Sequence, residues 1–139
     1  MGKILAACLF LAAQTYSVPP AVLVGIYQVE GGQVGQEVGP NINGTYDLGP
    51  MQINTAWLNG LSARWGVSVS TARKWVRDDP CTNVGVAAWI LRTNLNETND
   101  LAKAIAYYHS HTPGYGQVYK EKVISSMTRY GLIRTVDGR

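Results

Sequence analysis

The chain of 139 residues has the length of one domain with a single core. Hydrophobic residues make up 46% and charged residues 15% of it, which excludes an intrinsically disordered protein. The net charge of +3 comes from scattered Lys and Arg residues, so it is too diffuse to predict a nucleic-acid binder.

The first residues allow three interpretations. Met1-Gly2-Lys3 and the apolar run over residues 4 to 13 have the charge, length and small-residue ending of a signal peptide. The same segment can instead form the first helix of the folded domain, over residues 3 to 16. An apolar run this short does not span a membrane, so a transmembrane helix is the weakest interpretation.

The next segment predicts a helix with an acid on its apolar face. Proline in the first turn at Pro20 and a break at Gly31 delimit a helix that ends at Glu30. Glu30 shares a helical stripe with three apolar residues, Leu23, Ile26 and Tyr27. Burial and the negative helix end should both raise its pKa, as a general acid requires. The competing interpretation, equally open from the helix pattern alone, is an acid that caps a neighbouring loop.

Residues 31 to 50 are dense in Gly, Pro and Asn and predict a long loop or a small hairpin. A segment of this length without regular structure is usually functional in a compact domain. Two acids in it, Glu37 and Asp47, are candidates for a second carboxylate beside Glu30, as two-carboxylate glycosidases need. Neither has a sequence context that predicts burial, and Asp47 is expected to hold the loop by accepting backbone N–H bonds.

Helical patterns return after Asn54 and continue along the chain. Five further helices are predicted: residues 55 to 65, residues 71 to 77 with Ser70 as N-cap, a buried helix around residues 84 to 91, one that Asp100 opens, and one from about residue 117 to 130. Residues 131 to 139 are expected to form a C-terminal tail. Strand-like alternation is nearly absent, so the predicted fold class is all-α, with about six or seven helices.

Several motifs together resemble a known family. Glu30-Gly31-Gly32, read with the segment NINGTYDLGPMQIN at residues 41 to 54, resembles the soluble lytic transglycosylase (SLT) domain. Its pattern is a catalytic Glu followed by a loop that ends in Gly-x-Met-Gln. The Asn-Gly-Thr-x-Asp form is similar to small, specialised members that serve conjugation, type III secretion and type IV secretion. DPCTN with WIL, and AIAYYH at residues 104 to 109, resemble the same branch, and the match extends from about residue 8 to 123.

The resemblance bears on the two cysteines, which the sequence alone leaves open as a disulfide or two unrelated thiols. Cys8 and Cys81 occupy the positions at which this branch often carries cysteines, so the resemblance implies a disulfide between them. It also favours residues 3 to 16 as the first helix of the domain. A disulfide belongs in an oxidising compartment, which agrees with a periplasmic or exported protein.

The resemblance also implies roles for the site residues. Glu30 matches the acid that protonates the glycosidic oxygen between N-acetylmuramic acid and N-acetylglucosamine and then deprotonates the muramoyl 6-hydroxyl, giving a 1,6-anhydro product. One carboxylate suffices, because the substrate's acetamido group can stabilise the cation. Met51 and Gln52 match the pair that lines the sugar groove. Tyr108 matches the tyrosine that orients the glutamate, although its spacing alone predicts a core aromatic.

Three positions depart from the family pattern: Gly31 replaces Ser, Pro50 replaces Leu and His109 replaces Asn. Gly31 and Pro50 bear on sugar affinity more than on activity. His109 and His111 are two residues apart and point to different sides of a helix, so we expect histidines at the groove rim and no metal. With Asp47, His109 completes the predicted substrate-binding set.

We therefore expect a lysozyme-like, all-α enzyme that opens the cell wall locally for a secretion or conjugation machine. The expected partners are glycan strands of peptidoglycan and components of that apparatus. We expect a monomer without cofactor, nucleic-acid partner or stable membrane insertion. Two alternatives are a hydrolytic muramidase, which would use Glu30 with Asp47 or Glu37 and a water, and a non-catalytic wall-binding or assembly protein.

Overall fold

The structure, a computed structural model, describes residues 1–133. From residue 134 onward, the predicted C-terminal tail lies outside the described residues. The described part is all-α, as predicted, with seven α-helices and one small antiparallel sheet. In chain order the elements are α1 (Lys3–Tyr16), α2 (Pro20–Glu30), β1 (Glu37–Val38), β2 (Asp47–Leu48), β3 (Ile53–Asn54), a 3-10 helix (Thr55–Trp57), α3 (Leu58–Trp65), α4 (Val69–Asp78), α5 (Pro80–Thr98), α6 (Leu101–His109) and α7 (Pro113–Arg129).

Side-chain caps set the starts of two helices. Asp100 accepts a hydrogen bond from the N–H of Lys103 at the start of α6, as predicted. The predicted cap at Ser70 is wrong, because Ser68 has the extended backbone and accepts the N–H of Thr71. The α4 helix therefore begins two residues earlier than predicted.

Proline in the first turn marks the starts of other helices. The last helix begins at Pro113 rather than near residue 117, because proline at this position has no N–H that would lose a partner. Pro80 starts α5 in the same way. The helix predicted over residues 55 to 65 begins as the short 3-10 turn Thr55–Trp57 and continues as α3.

Helix α5 is central, packing against α1, α4 and α6, while α2 packs against α7 and α1. The α1 helix contributes Cys8, Leu9, Ala12 and Ala13 to the core. Cys8 forms a disulfide with Cys81 in the first turn of α5, with 4.7 Å between the two Cα atoms. The bond closes a loop of 73 residues, which the chain-entropy model values at roughly 4 kcal/mol. No helix within residues 1–133 has the length and apolarity to cross a membrane.

The segment predicted as a loop or hairpin folds into the three-stranded sheet β1-β2-β3. Asn83 of α5 holds its far end, and its side chain is completely buried. Its amide donates to the carbonyl oxygens of Leu48 (2.8 Å) and Val76 (3.0 Å), and its carbonyl oxygen accepts the N–H of Met51 (2.9 Å). Because three backbone groups depend on one buried side chain, the loop has a fixed position above α4 and α5.

Candidate active site

A groove of about 810 Å³ crosses the molecule, with the sheet and the 3-10 turn on one side and the α6–α7 region on the other. Glu30, at the end of α2, lies in its lining. Four predicted substrate-binding residues also line it, namely Asp47, Gln52, Tyr108 and His109. The fold therefore brings together residues that are up to 79 positions apart in the sequence.

Glu30 is half-buried, since the helical stripe that carries it directs Leu23 and Ile26 into the core. The hydroxyl of Tyr119 donates a hydrogen bond to its Oε2 atom at 2.8 Å. Burial raises the pKa of Glu30 from 4.5 to about 7, the Tyr119 hydrogen bond opposes this rise, and the charge of Asp47 adds to it. Near neutral pH the carboxyl is therefore divided between its protonated and ionised forms, so it can both donate and accept a proton.

The tyrosine that donates a hydrogen bond to Glu30 is Tyr119 and not Tyr108, which corrects the sequence prediction. The hydroxyl of Tyr108 donates instead to the backbone carbonyl of Met51, at 2.9 Å. The ring of Tyr108 lies against Tyr119, with 6.2 Å between the centroids and 14° between the planes. Tyr108 therefore supports Tyr119 from the side, because its own hydroxyl is occupied by the loop backbone.

Tyr119 was missed by the sequence analysis. It lies on the buried stripe of α7 with Val123 and Met127, at a spacing of four residues. A tyrosine on such a stripe needs a hydrogen-bond partner for its buried hydroxyl, just as a buried acid needs a donor. That need is the signal that could have paired it with Glu30.

Met51 does not line the groove, so this prediction is wrong. Its side chain is completely buried in the core, whereas that of Gln52, the next residue in the same turn, lines the groove. Only its backbone serves the site, through the bonds to Asn83 and Tyr108. Gln52 does line the groove; its φ is +53°, and its Nε2 donates to the carbonyl of Gly49 at 2.9 Å.

A close backbone approach explains the second of the two glycines after the acid, Gly32. A Cβ atom at this position would lie 2.0 Å from the carbonyl oxygen of Gly49 and 2.6 Å from Nε2 of Gln52. Only glycine therefore allows the turn after α2 to approach the loop that carries Gln52. The close approach brings Gln52 to the same wall as Glu30.

Asp47 holds the loop, but through side-chain amides and not through backbone N–H groups as predicted. Its Oδ2 accepts from Asn41 at 3.3 Å and its Oδ1 from Asn54 at 3.1 Å. The hydroxyl oxygen of Thr45 accepts from both asparagines at 3.0 Å. The reason lies in the antiparallel register, which pairs Asp47 with Asn54 across β2 and β3.

Glu37 forms ion pairs outside the groove and does not line it. Its carboxylate accepts from Arg73 (2.6 and 3.0 Å) and from Arg77 (2.9 Å), which ties β1 to α4. The hydrogen bonds from Arg73, followed by the one from Arg77, lower the pKa of Glu37 to about 2. Glu37 is thus not placed to serve as a second carboxylate beside Glu30.

The two histidines have separate environments. His109 is exposed at the groove, and its ring stacks on Tyr119 with 4.8 Å between centroids and 8° between planes. His111 packs on Tyr107 at 4.2 Å and lies 4.0 Å from Glu97. Within residues 1–133, no group of three or more His, Cys, Asp or Glu side chains is arranged to hold a metal ion.

The fold is a lysozyme-like helical domain, and its groove holds a glutamate whose pKa is raised to about 7, a combination that suits an enzyme that cleaves glycosidic bonds. The family model "Transglycosylase SLT domain" matches residues 7–134, and the chain belongs to this family. Members of the family are lytic transglycosylases, which act on peptidoglycan. None of the curated proteins matches the chain.

Proposed function

We propose that this protein cleaves the β-1,4 bond between N-acetylmuramic acid and N-acetylglucosamine in peptidoglycan and leaves a 1,6-anhydro-muramoyl end. The observation that carries the proposal is the carboxyl of Glu30, which lies in the groove with a pKa of about 7. A single group with this pKa is suited to both proton transfers that the reaction needs.

In the first step, protonated Glu30 gives its proton to the glycosidic oxygen as the bond to the muramoyl C1 breaks. The acetamido oxygen of the same sugar stabilises the positive charge at C1, so a second protein carboxylate is not needed. In the second step, ionised Glu30 takes the proton of the muramoyl 6-hydroxyl, whose oxygen forms the new bond to C1. The carboxyl ends as it began, and no water is consumed.

Two groove residues support these steps. The Tyr119 hydroxyl bonds Oε2 of Glu30, which orients the carboxyl and leaves Oε1 for the proton transfers. The amide of Gln52 uses one N–H on Gly49, so a second N–H and a carbonyl oxygen are available to a sugar. His109 and Asp47 border the same groove and complete the proposed substrate contacts.

A hydrolytic muramidase is the second candidate, because Asp47 lines the same groove and its charge reaches Glu30. Against it, both carboxylate oxygens of Asp47 accept hydrogen bonds from asparagine amides. We assign Asp47 to holding the loop and setting the local potential. A non-catalytic wall-binding protein is the third candidate, but it would have no use for an acid of raised pKa in its groove.

Mass spectrometry of the muropeptides released from purified sacculi tests the proposal. A transglycosylase leaves anhydro-muramoyl ends, which are one water lighter than the reducing ends that a hydrolase leaves. The Glu30→Gln protein is the matched control for contaminating activity. Reducing ends as the main product would favour the muramidase, and no release at all would favour the binding protein.

We further propose that the enzyme acts in the periplasm or outside the cell, in the service of a secretion or conjugation machine. The disulfide between Cys8 and Cys81 supports an oxidising compartment. The resemblance of the sequence motifs to the specialised members of the family supports a role beside such a machine. The test is the efficiency of secretion or conjugation in a strain that carries Glu30→Gln at the native locus. Efficiency equal to that of the wild-type strain would contradict this role.

A further inference from the structure

A second cavity, of about 320 Å³, lies apart from Glu30. Helices α3, α4 and α5 form most of its wall, next to the disulfide at Cys81. The protein has four tryptophans, and three of them line this cavity: Trp65, Trp75 and Trp89. We call it the tryptophan cavity. None of its lining residues belongs to the catalytic groove.

The aromatic rings of the tryptophan cavity are partly open to solvent. Trp75 is 43% exposed, and its ring centroid lies 5.8 Å from that of Trp65 at an angle of 42°. The guanidinium of Arg64 lies 5.4 Å from the ring centroid of Trp89. Because buried core packing does not require an exposed indole, this surface has aromatic area and a cationic donor available to a ligand.

This combination matches the chemistry of a sugar. A pyranose ring has an apolar face of C–H groups, which stacks on indole, and polar edges with hydroxyl and N-acetyl oxygens. Trp75 and Trp65 offer the stacking surface, and Arg64 offers N–H donors for the oxygens. A cavity of about 320 Å³ has room for roughly one or two such rings.

An aromatic contact joins the lining of the tryptophan cavity to that of the catalytic groove. Trp57 lines the groove, and its ring meets that of Trp89 edge-on, at 5.5 Å and 76°. Ile90, the next residue in α5, also lines the groove. A polymer seated over Trp57 in the groove would therefore contact a ring that itself touches the lining of the cavity.

We propose that the tryptophan cavity is a second glycan-binding site, which takes a hexosamine unit of a peptidoglycan strand. Trp75 and Trp65 stack on the apolar face of the sugar, and Arg64 donates to its oxygens. The identity of the polymer rests on the proposed function, but the binding does not need Glu30 to be catalytic. The site would hold the enzyme on the wall while the groove releases a product.

The test uses the Glu30→Gln protein, so that binding is measured without turnover. N-acetylglucosamine hexamer is titrated while the four indole N–H signals are followed by nuclear magnetic resonance. We expect the Trp65 and Trp75 signals to shift together with that of Trp57. Adding Trp75→Ala should weaken binding of the hexamer about tenfold, which is the size expected from the loss of one aromatic stacking contact.

Phe10→Ala is the matched control, because Phe10 is 59% exposed on α1 and does not line either cavity. This variant should leave the affinity for the hexamer unchanged.

A titration with N-acetylglucosamine dimer shows whether the bound sugar belongs to the strand in the groove or to a neighbouring strand. Shifts of Trp65 and Trp75 with the dimer indicate an independent site for a neighbouring strand, and shifts with the hexamer alone indicate the strand that occupies the groove.

The proposal is overturned if the Trp65 and Trp75 signals stay in place at hexamer concentrations that saturate Trp57, or if no indole signal moves. Its failure is distinguishable from failure of the proposed function. Absence of anhydro-muramoyl products would contradict the proposed reaction. Shifts of the Trp65 and Trp75 signals would still establish the glycan site in that case.

Discussion

Glu30 and Glu37 are seven residues apart, and the fold gives them opposite surroundings. Glu30 ends a buried stripe with a single hydroxyl donor, and its pKa is raised to about 7. Glu37 meets two arginines on α4, and its pKa is lowered to about 2. The same type of side chain therefore keeps a proton up to about neutral pH at one site and stays ionised at the other. Solvation and partners decide the role, and the type of residue does not.

The largest effect expected from this comparison is on turnover. Glu30→Gln should lower the rate of muropeptide release by about 10²- to 10⁴-fold or more, because in the proposed mechanism one group serves both proton transfers. Glu37→Gln is the matched control and should keep turnover within a few-fold, since Glu37 does not line the groove. An equal loss in both variants, with both proteins folded by circular dichroism, would contradict the division of roles.

The same two variants should change stability in opposite directions. The folded protein keeps a proton on Glu30 between pH 4.5 and 7 that the unfolded chain has released, so the free energy of unfolding falls as pH rises through this window. Glu37 remains ionised down to about pH 2, so its contribution is present above pH 4.5 and is lost as pH falls toward 2.

Urea denaturation at a series of pH values measures the free energy of unfolding across both pH ranges. At pH 8, Glu30→Gln should be more stable than wild type by at most about 3 kcal/mol, at 1.36 kcal/mol per pKa unit. Glu37→Gln should be less stable at pH 8 by about 1 kcal/mol, since solvent screens this partly exposed ion pair. Both differences in stability from wild type should become smaller as the pH is lowered. Parallel pH profiles for the two variants would show that the environments are not opposite.

Tyr119→Phe removes the hydrogen bond that lowers the pKa of Glu30, so the alkaline limb of the pH–rate profile should move to higher pH. Turnover should fall at least about tenfold, because a hydrogen bond to a charged group contributes roughly 1.5–3 kcal/mol. Tyr108→Phe is the control, since its hydroxyl donates to the Met51 carbonyl. If the alkaline limb of the pH–rate profile does not move in Tyr119→Phe, or moves equally in Tyr108→Phe, Tyr119 is not the residue that positions Glu30.

Asp47→Asn should have the smallest effect. It removes a negative charge that raises the pKa of Glu30, so the alkaline limb should move to lower pH, opposite to the shift in Tyr119→Phe. Turnover should fall roughly threefold, as expected from one partly screened charge. Asp78→Asn is the control, because it changes an exposed acid that is paired with Arg77. It should not move the alkaline limb of the pH–rate profile. A loss as large as that of Glu30→Gln would favour the two-carboxylate muramidase.

The two glutamates also show what a sequence can predict. The stripe that carries Glu30 lies within one helix, so helical spacing alone predicted an acid facing the core or a cleft. The partners of Glu37 are 36 and 40 residues away, and the Tyr119 hydroxyl is 89 residues from Glu30. Contacts of this separation depend on how helices pack, which no local pattern encodes.

Errors at Met51 and Ser70 have a different origin. Met51 and Gln52 are adjacent in a turn, and the left-handed backbone at Gln52 sends one side chain to the groove and the other to the core. A motif treats the pair as one unit and does not resolve this. Two serines, at positions 68 and 70, can each cap a helix, and the structure selects the first because only its backbone is extended.

The proposed reaction depends most directly on Glu30 keeping its proton up to about neutral pH. Carbon-13 labelling of glutamate side chains allows each carboxyl to be titrated individually by nuclear magnetic resonance, with Glu30→Gln identifying the Glu30 signal. We expect a midpoint near pH 7 for Glu30, while Glu37 should stay ionised until about pH 2. A midpoint for Glu30 near 4.5, the ordinary value for a glutamate, would show that its surroundings do not raise its pKa.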